Sequence, residues 1–95
     1  MPVIGVLTLE MRFEHAHSLK DKRHWVRGLK DRLRRNYNVA VAEIDYQDIW
    51  QRSLMAAVTV SPSRDFAAQT LQSVEDEAAG FLGPNLISTT LEWLD

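Results

Sequence analysis

The chain has 95 residues, 45% hydrophobic and 25% charged, a balance that excludes disordered, collagen-like and fibrous proteins and suits a single domain over residues 1–95. It contains no cysteine, which removes disulfide scaffolds, thiolate metal sites and thiol nucleophiles. The net charge of -2 hides an asymmetry: residues 20–35 carry eight basic side chains against two carboxylates, a net of +6, whereas residues 36–95 carry two against nine, a net of -7.

Val3 to Phe13 alternates, with Val3, Leu7, Leu9, Met11 and Phe13 on one side and Thr8, Glu10 and Arg12 on the other, the period of a strand with one face on a core. Glu14 to His17 connects it to a helix that begins at Ser18, with Asp21 three residues on as the partner of a capping box. Val26, Leu29, Leu33 and Tyr37 give that helix its apolar face to about Arg35, and Asn36 and Asn38 end it. Val39–Tyr46 reads as a second strand and Ser53–Val60 as a third. Ser61 and Pro62 are expected to open a second helix as its cap and first residue. Ala67, Leu71, Val74, Ala78 and Phe81 are its expected buried face, and Gly80, Gly83 and Pro84 its stop; Leu86–Leu94 is the last strand. This order predicts an α+β fold, the ferredoxin-like βαββαβ sandwich, a four-stranded antiparallel sheet with two helices on one face.

Three blocks fall along this frame: Ser18-Leu19-Lys20-Asp21-Lys22-Arg23 after the first strand, Asn38-Val39 followed by Val41-Ala42-Glu43, and Gln47-Asp48-Ile49-Trp50-Gln51-Arg52 between the second and third strands. In their order and spacing the chain resembles the YlxP-like family, domain of unknown function 503, over essentially its whole length. The resemblance implies a small bacterial protein of ferredoxin-like fold with no established activity, often encoded beside genes for translation initiation and ribosome maturation. Both longer blocks are compatible with a role in function or in folding.

Lys20, Arg23, Arg27, Lys30 and Arg34 recur at spacings of three and four, so they line one stripe of the first helix, with Arg35 beside it. Such a stripe suits the phosphates of ribosomal or other structured RNA. The alternative is a solvated helix whose charges pair with the acidic second helix. RNA readers of similar topology stack bases on aromatic residues of the open sheet face. Here that face is expected to carry Ile4, Val6, Thr8 and Glu10 from the first strand and Met55, Ala57 and Thr59 from the third, none aromatic, with Glu10 and Glu43 repelling phosphate. Contacts to backbone phosphates are therefore expected, without readout of a DNA sequence.

Ile4, Val6, Val39, Val41 and Met55 are expected to form an apolar patch on the open sheet face, the kind of surface that closes a homodimer. Gln47, Asp48, Trp50 and Arg52 form a candidate interaction loop. The structural alternative has Asp48 capping the turn, Arg52 paired with Glu43 or Asp45, Trp50 packed beneath the loop, and Lys22 lying over the apolar edge of the helix.

His15, His17, His24 and Glu14 fall short of a zinc site, so no metal is expected, and no cofactor. The loop Glu14-His15-Ala16-His17 lacks the glycines of an acylphosphatase-type anion cradle. Glu43 and Asp45, two apart, are expected on one strand face, but without a pocket they do not make an acid–base pair; no catalytic residue and no enzyme activity are expected. No apolar run approaches the roughly 20 residues of a membrane span, so no membrane partner is expected. The first residues lack the basic and long apolar regions of a signal peptide, which predicts a cytoplasmic location.

Overall fold

Alternation in the first strand sets the two faces of the sheet, and strand register carries that choice across the molecule. A computed structural model describes residues 1–94. Its elements are β1 (Val3–Arg12), α1 (Leu19–Asn36), β2 (Ala40–Asp45), β3 (Arg52–Ser61), α2 (Arg64–Leu82), a 3-10 turn (Gly83–Asn85) and β4 (Leu86–Leu94). The sheet order is β2-β3-β1-β4 with every neighbouring pair antiparallel, the predicted ferredoxin-like arrangement.

Leu7, Leu9 and Met11 of β1 are buried under the helices, and the residues between them point to the uncovered face. Leu7 lies opposite Ala57 and Leu9 opposite Met55, and Val41 of β2 lies opposite Ala57, so all of these share the covered face. Val26, Leu29 and Leu33 of α1 and Leu71, Val74, Ala78 and Leu82 of α2 close over them to form one core. Three polar β3 side chains also lie on the covered face, each with a partner. Ser53 Oγ donates to Glu43 Oε2 at 2.6 Å, Thr59 Oγ1 donates to the Asn38 carbonyl at 2.8 Å, and Ser61 Oγ accepts from the Ser63 amide at 3.1 Å.

Register corrects the expected open face. Met55 and Val41 are core residues, 0% and 4% exposed, and Val39 is half-buried against the core. Met55, Ala57 and Thr59 face the helices; Leu54, Ala56, Val58 and Val60 face away from them. The difference has a physical cause: in β3 the covered positions include two serines and a threonine, while the uncovered ones after Arg52 are all apolar, so local patterning points the wrong way and pairing with β1 overrules it. Glu43, opposite Met55, also lies on the covered face, and a register shift before Asp45 prevents the two carboxylates from sharing a side.

The helix ends follow local chemistry. Ser18 Oγ accepts from the Asp21 amide at 3.1 Å, and Asp21 Oδ2 accepts in return from the His17 amide at 3.0 Å, a capping box displaced by one residue. The second helix is capped by Ser63, not Ser61: Ser63 Oγ accepts from the Phe66 amide at 3.2 Å, and Pro62 lies outside the helix. Gly83, at φ 56°, caps the other end in a conformation that disfavours a side chain.

β1 passes so close to α2 and β4 that Gly5 has no room for a Cβ: one placed there would sit 2.7 Å from Leu71 Cδ1 and 2.9 Å from Trp93 Cζ3. Gly5→Ala is therefore expected to lower stability by about 1–3 kcal/mol through overpacking, seen as a reduced urea midpoint with an unchanged slope. An unchanged midpoint would show that Leu71 and Trp93 move aside at no cost.

Candidate functional site

Lys22 joins the first and last of the three sequence blocks. It stands four residues before Val26, on the apolar face of α1, and is 1% exposed. Its Nζ donates to the carbonyls of Tyr46 (2.6 Å), Gln47 (3.1 Å) and Arg52 (3.2 Å) and lies 3.1 Å from Glu43 Oε2. Three ammonium protons are thus shared among four oxygens, and the carbonyls belong to the two ends of the β2–β3 loop. Tyr46 adopts a positive φ of 63°, uncommon for a residue with a large side chain, and its carbonyl is one of those held. Arg52 stacks 4.1 Å from the Tyr46 ring and its Nη2 donates to Glu10 Oε2 at 2.9 Å. Arg52 therefore pairs with Glu10 across the sheet, not with Glu43 or Asp45, and Lys22 is a buried clamp, not a side chain lying over an edge.

The Arg52 guanidinium and, to a lesser degree, the Ser88 hydroxyl hold the Glu10 carboxyl below the usual carboxylate range, and Glu10 in turn raises the pKa of Arg52. Tyr37 donates to Glu77 Oε1 at 3.0 Å, which raises the pKa of the phenol.

The basic stripe lies on the outer surface of α1. Lys20, Arg23, Arg27, Arg34 and Arg35 are exposed and Lys30 is half-buried. Among the described residues, none of these cations pairs with a carboxylate; the ion pairs are Lys22–Glu43 and Arg52–Glu10. Three acidic residues of α2 are engaged elsewhere: Glu77 with Asn36 and Tyr37, Asp76 with Gln72, and Glu75 with Gln72 and Thr89. Two arginines of the helix have structural partners. Arg34 Nη2 donates to the Val41 carbonyl at 3.0 Å, and Arg32 sits 4.5 Å over the Phe81 ring. Lys20, Arg23 and Arg27, with Asp31 among them, line a shallow groove of about 460 Å³ on the crest.

A second cleft, about 420 Å³, adjoins that groove where the β1–α1 loop meets α1 and the 3-10 turn, and both are lined by Lys20 and His24. Its aromatic wall is the half-buried Trp25, braced by Phe13 at 6.1 Å and by Phe81 edge-on at 5.4 Å between ring centroids. Nothing in the local sequence pattern marks this cleft, because Trp25 lies at the margin of the apolar face and Asn85 reaches it from the far end of the chain.

The other sequence-predicted residues are dispersed. Gln47, Asp48 and Trp50 are exposed on the loop, Trp50 at 49% instead of packed beneath it, while Arg52 is held at the loop's base. Ile4 and Val6 lie on the uncovered sheet face as expected, alongside Leu54, Val58, Val60 and Leu94. Among the described residues, no three His, Asp or Glu side chains gather into a metal cluster. Among the described residues no helix is long and apolar enough to cross a membrane.

Residues 4–90 match the model of a family described as protein of unknown function, DUF503. The chain belongs to this family. Within it, the chain is 34% identical over 91 residues to the uncharacterized protein YlxP of Bacillus subtilis (strain 168), covering 96% of this chain and 99% of that protein. Two designed proteins share the fold alone. De novo designed protein Foldit4 superposes with a TM-score of 0.62 at 8% identity over 100% of this chain and 98% of its own. The designed ferredoxin-fold protein LFR1 1 does so with 0.51 at 15% identity over 99% and 84%. The DUF503 family carries no enzymatic name, and the clamp shows that part of each longer block in this member serves the fold.

Lys22→Met removes the cation from Glu43 and leaves three loop carbonyls without their donor. It is expected to cost about 3–5 kcal/mol in chemical denaturation, the range for breaking a buried pair from one side; a loss below 1 kcal/mol would show that water replaces the ammonium. Glu10 has a lowered folded-state pKa, so its contribution is present above the unfolded carboxylate's pKa and is lost as pH falls through the folded value. Unfolding midpoints of wild type and Glu10→Gln are therefore expected to differ at neutral pH and to converge on acidification; a constant gap would show that Glu10 does not titrate with folding.

Proposed function

We propose that the protein is a non-enzymatic accessory factor that contacts ribosomal or other structured RNA through the outer surface of α1, in the cytoplasm. The observation that carries this reading is the absence of carboxylate partners on Lys20, Arg23, Arg27 and Arg35 among the described residues, although the acidic α2 belongs to the same chain. Cations held on a rigid helix without internal partners exchange counterions for phosphates on binding. The uncovered sheet face offers no aromatic platform, so contact is with the phosphate backbone and carries little base preference from the sheet. Lys22 is buried in its bonds to the loop and takes no part, whereas Arg34 is exposed and commits only one of its N–H groups to the Val41 carbonyl.

A second reading rests on the uncovered face, where Ile4, Val6, Leu54, Val58, Val60 and Leu94 form a continuous apolar surface. A four-stranded face of this length presents on the order of 600 Å². Two copies face to face would then bury about 1,200 Å², the lower bound of specific interfaces. Val58→Glu is expected to convert a dimer to a monomer in sedimentation equilibrium; a wild-type monomer at high concentration would sink the self-association reading.

For the RNA reading, the measurement is retention on ribosomal particles in a sucrose gradient at low and high salt, with and without nuclease. About four phosphates engaged predict a slope of roughly -3 to -4 in log affinity against log salt. Arg23→Glu/Arg27→Glu/Arg35→Glu is expected to abolish retention with the fold intact. Equal retention of the triple variant would overturn the proposal.

A further inference from the structure

We propose that the cleft beside Trp25 is a subsite for one base of a single-stranded RNA segment whose phosphates lie on the adjoining basic groove. The inference rests on the RNA reading above and adds a site and a ligand class to it. The two depressions share Lys20 and His24, so they adjoin, and neighbouring nucleotides of one chain can reach both. They differ in chemistry. The crest offers Lys20, Arg23 and Arg27 to phosphates, with Asp31 among them, whereas the cleft, which Lys20, His15 and His24 also line, adds an indole, the Asp21 carboxylate and the Asn85 amide.

Three properties of the cleft fit a base: its volume, its fixed indole and its carboxylate. At about 420 Å³ it falls within the range of clefts that hold small organic ligands, roughly 300–1,000 Å³. The Trp25 ring is fixed by Phe13 and Phe81, so stacking on it sacrifices little rotamer freedom. Asp21 repels a phosphate entering the cleft and directs it towards Lys20 and the crest. A carboxylate is also an acceptor-only group. With Oδ2 accepting from the His17 amide, the oxygens of Asp21 favour a base that brings an exocyclic amine to the rim, and disfavour uracil, which presents a carbonyl at the corresponding position. Helix α1 thus holds both parts of the site: its outer crest for the backbone, and its flank at Asp21 and Trp25 for the base.

The test compares three probes at low salt by fluorescence anisotropy competition: short oligocytidylate, oligouridylate of the same length, and inorganic polyphosphate of matched charge. Cytosine carries an amine at position 4 and a bare N3 where uracil carries a carbonyl and an N3–H, and polyphosphate carries no base. Oligocytidylate is expected to bind about tenfold tighter than oligouridylate, and more tightly still than polyphosphate. Trp25→Leu is expected to remove the advantage of both oligonucleotides over polyphosphate. Asp21→Asn, which keeps an acceptor and adds a donor, is expected to bring the two oligonucleotides together and serves as the informative variant if Trp25→Leu does not fold. Equal binding of all three probes to the wild-type protein would overturn the base subsite while leaving phosphate contact by α1 standing. No binding of any probe would overturn both.

Discussion

A single lysine ammonium joins the first helix of this fold to the β2–β3 loop. Lys22 is sequestered from water on the apolar face of α1, where an unpaired charge would be prohibitively costly. It is tolerable only because three backbone carbonyls and Glu43 surround it. The dependence runs both ways. The β2–β3 loop presents converging carbonyls from Tyr46, Gln47 and Arg52, with Tyr46 at a positive φ, and that convergence needs a cation at its centre. Helix, loop and both flanking strands are thereby fixed to one another at one end of the sheet.

That clamp frees other parts of α1 for a different role. With Lys22 holding the helix to β2, β3 and their loop, and Arg34 bonded to the β2 edge, the outer cations need take no part in folding. The acidic α2 does not neutralise them: its Glu75, Asp76 and Glu77 are engaged with Asn36, Tyr37, Gln72 and Thr89. The charge asymmetry of the sequence is therefore kept in the folded surface, as a basic crest on one helix and acidic groups bound to neutral donors on the other. A crest of this kind raises the local potential and favours polyanions over neutral partners.

The uncovered sheet face shows the opposite distribution. Its apolar side chains in β3 are not an accident of exposure, since Leu54, Ala56, Val58 and Val60 occupy every uncovered position after Arg52. The covered positions of the same strand carry serine, threonine and alanine as well as methionine. Small and hydrogen-bonded residues under the helices keep the layers close and satisfy buried groups, while apolar bulk is left on the outside. A monomer gains little from leaving that apolar bulk in water.

The sequence by itself determined the order of elements, the fold, the capping of α1 by Ser18 and the basic stripe, because each rests on local periodicity or on residue chemistry over a few positions. Lys22 reads from the sequence as a side chain over the apolar edge of the helix, and its burial was not legible because its partners lie 21 to 30 residues away. Only the tertiary structure decided which side of β3 is covered, since strand parity is set by pairing with β1 and the strand's own pattern points the other way. It also decided that Arg52 meets Glu10, that Trp50 stands in solvent, and that Trp25 and Asn85 share a cleft. Each of these is a relation between segments distant in the chain, and no local propensity carries that information.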